Sequence, residues 1–60
     1  MNDTVQNPLR ALVVDDRDDV AMSLALLLKQ LGCTVQVANY AQEALKKGEH
    51  LRPDVIFLDI

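Results

Sequence analysis

The order of apolar and polar positions along the chain predicts three strands. Residues 10–14, RALVV, form a short apolar run rich in β-branched side chains, which is typical of a strand covered on both faces. Residues 34–38, TVQVA, alternate between polar and apolar positions and predict a second strand, nearer an edge of the sheet. Residues 54–58, DVIFL, follow a proline and predict a third strand that is again almost continuously apolar.

A leucine-rich segment between the first two predicted strands has the periodicity of an amphipathic helix. Its apolar side chains recur at the spacing of one helix face, and we expect this stripe to belong to the core: Val20, Leu24, Leu27, Leu28 and Leu31. Asp18 or Asp19 is the expected cap at the start of the helix, and Gly32 is the expected stop at its end.

A second, shorter helix is predicted over residues 41–49. Ala44 and Leu45 are expected to face inward. Asn39 and Gln42 have the spacing of a capping box, although Tyr40 is an alternative boundary residue.

Strands that alternate with helices predict an α/β fold with a parallel sheet and right-handed crossovers. If the third strand pairs beside the first, the strand order is 2-1-3 and the two helices cover opposite faces. The first strand is then enclosed, which accounts for the apolar character of every position from Ala11 to Val14.

Composition and charge narrow the classes of partner. The chain has 60 residues, 50% of them hydrophobic, and a net charge of −3, which argues against nucleic acid as a partner. No apolar run reaches the ~18 residues of a membrane span, and the segment Met1–Pro8, expected to be a loose tail, does not resemble a secretory signal. The single cysteine, Cys33, is expected to pack at the start of the second strand and fits a cytoplasmic location.

Two of the predicted strands end in acid, and the sheet order brings those ends together. Asp15 and Asp16 follow the first strand and Asp59 follows the third, so all three carboxylates are expected at one rim, where open parallel sheets bind ligands. Their mutual repulsion would be relieved by a hard cation such as Mg²⁺, which prefers oxygen ligands. We hypothesise that Asp15 and Asp16 hold Mg²⁺, together with Asp59, and that the Asp59 carboxylate is a nucleophile that accepts a phosphoryl group.

Other interpretations of these acids remain open at the level of sequence. DDRDD is typical of a solvated turn before a helix, and Asp18 and Asp19 are assigned to capping. A nucleotide-binding enzyme is disfavoured, because neither glycine-rich phosphate-binding motif follows the first strand.

The motifs LVVDD, LGCTV, EAL and RPDVIFLDI together resemble the first half of a response-regulator receiver domain, over residues 9–60. The resemblance implies a flavodoxin-like sheet of order 2-1-3-4-5, phosphotransfer from the histidine of a sensor kinase or phosphotransfer protein, and a phosphoacceptor rather than an enzyme. Carried over by position, Asp59 matches the phosphoacceptor, and Asp15 and Asp16 match the acidic metal pair.

A receiver of this family is about twice as long, so the sequence is expected to represent a receiver truncated before its fourth strand. The third strand would then be an unpaired apolar edge, and we expect self-association or strand swapping through it. The alternative function is therefore a receiver-like fragment that acts only in binding or assembly and is not phosphorylated.

Overall fold

The computed structural model describes residues 8–59, and it has the predicted α/β architecture. The elements in chain order are β1 (Arg10–Asp15), α1 (Asp18–Gln30), β2 (Thr34–Ala38), α2 (Ala41–Leu51) and β3 (Val55–Asp59). The strands form a three-stranded parallel sheet in the order β2-β1-β3, which confirms the predicted order. The loose tail predicted for Met1–Pro8 lies, apart from Pro8, outside the described residues.

Strand β1 is the centre of the molecule, and its side chains divide between two cores. Ala11 and Val13 pack with α1, whereas Leu12 and Val14 pack with α2. All four are at most 2% exposed, because a helix covers each face of the strand. The prediction that the helices lie on opposite faces is confirmed.

Helix α1 contacts the sheet through a different stripe from the predicted one. Its buried residues are Ala21, Ala25 and Leu28, whereas Leu27 and Leu31 are 53% and 72% exposed. Two small alanines let the helix axis approach β1 closely, which rotates part of the leucine stripe away from the sheet. Of the predicted core leucines, Leu28 is buried and Leu24 half-buried, and Val20 is 38% exposed.

The start of α1 also differs from the prediction. Arg17 is the N-cap residue, and its side chain makes no capping hydrogen bond. Asp18 and Asp19 lie inside the first turn of the helix. Their negative charges interact favourably with the positive end of the helix dipole, but neither residue is the N-cap. At the other end, Gly32 follows the helix with φ of +97°, as expected of a glycine stop.

Helix α2 extends to Leu51, beyond the predicted end. Tyr40 is the N-cap residue, and the Asn39 backbone N–H donates to Oε1 of Glu43 at 2.8 Å, so Glu43 takes the part assigned to Gln42. Leu45 is 70% exposed, which contradicts its inward placement, whereas Ala44 and Leu51 pack against the core.

Strand β3 is attached to the rest of the fold through β1. Its backbone pairs with β1 along its whole length, but neither helix contacts it closely. Every residue of β3 is exposed by at least a third, including Ile56 at 54% and Leu58 at 66%.

Neither helix within residues 8–59 is long and apolar enough to span a lipid bilayer.

Cys33 is half-buried at the start of β2 and packs against the α1 core, as predicted.

Candidate functional site

The strand register places Asp15 and Asp59 side by side. β1 and β3 are parallel, and Asp15 is the direct partner of Asp59 in the last paired position of the two strands. Both residues continue the face of the sheet that carries Ala11 and Val13, so they lie on the α1 side. The chain thus brings together two acids that are 44 positions apart (59 − 15).

Asp15 is the buried member of the pair. Its side chain is only 6% exposed, and its Oδ1 accepts a hydrogen bond of 3.0 Å from the backbone N–H of Arg17. This backbone hydrogen bond is the main cause that lowers the pKa of Asp15, and the Arg17 side chain adds to it against the opposing effect of burial. A carboxylate that stays ionised although water is largely excluded is suited to holding a cation.

Asp59 is the open member of the pair. Its side chain is 67% exposed, and a small pocket of about 250 Å³ lies beside it, lined partly by Val20, Leu24 and Phe57. The Asp59 carboxylate is therefore accessible to an incoming group while its backbone is held in the sheet.

A guanidinium group joins the two carboxylates. Arg17 Nη2 donates to Asp59 Oδ2 at 2.6 Å, and Arg17 Nε donates to Asp15 Oδ1 at 3.3 Å. These contacts raise the pKa of Arg17, with Asp15 as the main cause. The hydrophobic pattern and the strand order predict no role for this arginine, although its position in the middle of DDRDD places a cation among four acids.

Asn39 is a second residue at this rim that was not among the predicted site residues. Its side-chain Nδ2 donates to the backbone oxygen of Asp15 at 3.1 Å, which ties the loop after β2 to the end of β1. The signal available in the sequence was its place directly after β2, because the ends of parallel strands share a rim.

Asp16 is exposed at the same rim and adds only a minor lowering of the Asp15 pKa. Within residues 8–59, no three side chains of histidine, cysteine, aspartate or glutamate are arranged as a metal-binding group. The donor chemistry nevertheless fits a hard cation, because Asp15 and Asp59 offer carboxylate oxygens that already share one positive charge, that of Arg17.

Comparison with known proteins agrees with this geometry. The family model described as response regulator receiver domain matches residues 11–60. The chain is 45% identical over 60 residues to the transcriptional regulatory protein PrrA of Mycobacterium leprae, covering 100% of this chain and 25% of that protein. It is 41% identical over 51 residues to the alkaline phosphatase synthesis transcriptional regulatory protein PhoP of Bacillus subtilis, covering 85% and 21%.

A further relative is named as an enzyme and not as a transcriptional regulator. The chain is 44% identical over 62 residues to a protein-glutamate methylesterase/protein-glutamine glutaminase of Symbiobacterium thermophilum, covering 100% of this chain and 17% of that protein. No solved structure matches significantly. The chain spans between 17% and 38% of the length of these and similar curated relatives. It belongs to the response regulator receiver domain family of two-component systems and corresponds to the N-terminal part of that domain.

Proposed function

We propose that Asp59 accepts a phosphoryl group from the phosphohistidine of a sensor kinase or phosphotransfer protein, in the cytoplasm, with Mg²⁺ held by Asp15, Asp16 and Asp59. The observation that supports this most directly is the pairing of buried Asp15 with open Asp59 around one shared positive charge. One carboxylate is fixed and ionised, and the other is accessible, as metal binding and nucleophilic attack respectively require.

The reaction is a transfer between two nucleophiles. A carboxylate oxygen of Asp59 attacks the phosphorus, the new O–P bond forms as the P–N bond breaks, and the imidazole keeps the bonding electron pair. Mg²⁺, when bound, neutralises the charge that develops on the transferring group. The Asp15 carboxylate and the strand pairing of Asp59 supply orientation, because both are fixed before the donor arrives.

The test is phosphorylation of the chain by a small phosphodonor such as acetyl phosphate. In Mg²⁺, intact-protein mass spectrometry should detect one added phosphoryl group on the wild type and none on Asp59→Asn. Asp54→Asn is the matched control, because Asp54 lies at the opposite end of β3 and pairs with Arg10 there. Labelling of Asp59→Asn at the wild-type level would refute the proposal.

Strand β3 supports a second proposal, in which two copies of the chain associate. Within residues 8–59, β3 pairs only with β1, so its outer edge carries unpaired backbone groups. The apolar side chains Ile56 and Leu58 border a groove of about 680 Å³ between β3 and α2. An identical β3 has the same edge and the same apolar face, so two copies can extend the sheet symmetrically.

Light scattering after size-exclusion chromatography measures this association. The wild type should elute as a dimer or larger species, and Ile56→Lys should shift it towards the monomer, because a charge on β3 opposes edge pairing. Leu26→Lys is the control, because Leu26 is similarly exposed, at 59% against 54% for Ile56, but lies on α1. A monomeric wild type, or an equal effect of both variants, would contradict pairing through β3.

A further inference from the structure

The guanidinium of Arg17 lies in the space that a cation must enter to reach both acids. The side chain contacts Asp59 Oδ2 at 2.6 Å and both oxygens of Asp15, Oδ1 at 3.3 Å and Oδ2 at 3.5 Å. The planar fork of an arginine can bridge two carboxylates in this way, which a lysine ammonium cannot do as well. The acidic pair is thus already neutralised in part by the chain itself.

We infer that Arg17 is a resident counterion of the acidic site, which Mg²⁺ displaces from Asp15 and Asp59 when it binds. This inference rests on the proposed function, because it assumes that Mg²⁺ uses these carboxylates. Arg17 then sets the affinity for the metal without being a ligand: the stronger its hold on the two acids, the higher the Mg²⁺ concentration needed.

Competition follows from the shared oxygen atoms. Mg²⁺ requires oxygen ligands at roughly 2.1 Å in near-octahedral geometry. Asp59 Oδ2 already uses one lone pair on Arg17 Nη2 at 2.6 Å, and a guanidinium and a metal ion held by the same carboxylate repel each other.

Displacement is feasible because only the side chain of Arg17 has to move. That side chain is 58% exposed, so it can rotate into solvent. Its backbone N–H can continue to donate to Asp15 Oδ1, which leaves the turn before α1 intact.

The first test compares Mg²⁺ affinity in three forms of the chain by isothermal titration calorimetry. Arg17→Gln removes the competitor and should tighten Mg²⁺ binding by up to about fivefold, the range expected for the loss of an exposed ion pair. Arg10→Gln removes the same charge at the opposite end of β1, where Arg10 Nε lies 3.6 Å from Asp54 Oδ2, and should leave the affinity near that of the wild type.

The second test needs no variant. In an NMR titration with Mg²⁺, the side-chain Nε–Hε resonance of Arg17 should move towards the position of a solvated arginine, in step with the backbone shifts of Asp15 and Asp59. The corresponding resonance of Arg10 should remain unchanged.

The outcomes separate this inference from the proposed function. Wild-type binding with no gain in Arg17→Gln, or an Arg17 resonance that does not respond as Mg²⁺ binds, overturns the counterion role alone. A gain of equal size in Arg10→Gln also overturns it, because the effect is then one of net charge. Absence of Mg²⁺ binding in every form overturns both the metal site and the inference.

Discussion

The two glycines of the chain should respond in opposite directions to replacement by alanine. Gly48 lies inside α2, and a Cβ built there would be 4.0 Å from Leu12 Cδ2, which is ordinary van der Waals contact. Alanine favours the helix interior over glycine by about 1 kcal/mol. We therefore expect Gly48→Ala to stabilise the fold by about 1 kcal/mol.

Gly32 presents the contrary case. Among the residues that the structure describes, none has an atom within 4 Å of a Cβ at this position, but its φ of +97° is one that side-chain-bearing residues rarely adopt. Backbone strain of about 1–2 kcal/mol is expected for Gly32→Ala. Gly32→Asn should cost less, because asparagine tolerates the left-handed region better than alanine.

Thermal unfolding followed by circular dichroism measures these changes. For a domain of this size, about 1 kcal/mol corresponds to roughly 4–8 °C in Tm, so Gly48→Ala should raise Tm and Gly32→Ala should lower it by at least as much. Melts at two protein concentrations separate folding from association. A destabilising Gly48→Ala, or a neutral Gly32→Ala, would refute the reasoning.

Two further predictions concern the core and the pH dependence of stability. In a urea titration, Leu28→Ala should lower the free energy of unfolding by about 2–4 kcal/mol, because Leu28 is only 9% exposed. Leu27 is 53% exposed, so Leu27→Ala should lower it by well under half of that amount. Equal losses in the two variants would contradict the observed orientation of α1. Hydrogen bonds from the Asn39 backbone to Glu43 and from the Arg10 backbone to Asp54 are the main causes that lower the pKa values of those two acids. The stability that these two hydrogen bonds contribute is fully present at pH values above the ordinary pKa values of the acids, 4.5 for Glu43 and 3.8 for Asp54. It is lost as the pH falls through their lowered pKa values in the folded protein. Glu43→Gln should thus lower the urea midpoint at neutral pH and reduce its fall on acidification, and an unchanged pH profile would count against this role.

Hydrophobic patterning predicted the strands, their order and the helix positions because β1 and β3 are runs of apolar residues with sharp polar ends. It failed for the packed face of α1, where counting large side chains favoured Leu27 and Leu31. The alanines at positions 21 and 25 determine the contact instead. A small residue leaves little trace in a hydrophobic pattern, yet it decides how closely a helix can approach a sheet.

The sequence predicted one part of the candidate site, the meeting of two acids, but not the arginine that joins them. The meeting of Asp15 and Asp59 follows from strand order, which the sequence encodes through burial. The role of Arg17 does not follow from strand order, because the direction of a long exposed side chain depends on the local turn and on charges brought in from a distant strand.

Within residues 8–59, β3 is attached to the fold through β1 alone, and this attachment bears on the reactivity proposed for Asp59. Backbone amides of β3 are protected from hydrogen exchange by a single ladder and by no helix, so this strand should open before the rest of the sheet. Each opening carries the Asp59 carboxylate away from Asp15. Any molecule that binds β3 and holds it in the sheet therefore also prolongs the lifetime of the acidic pair, which links the reactivity proposed for Asp59 to whatever covers that strand.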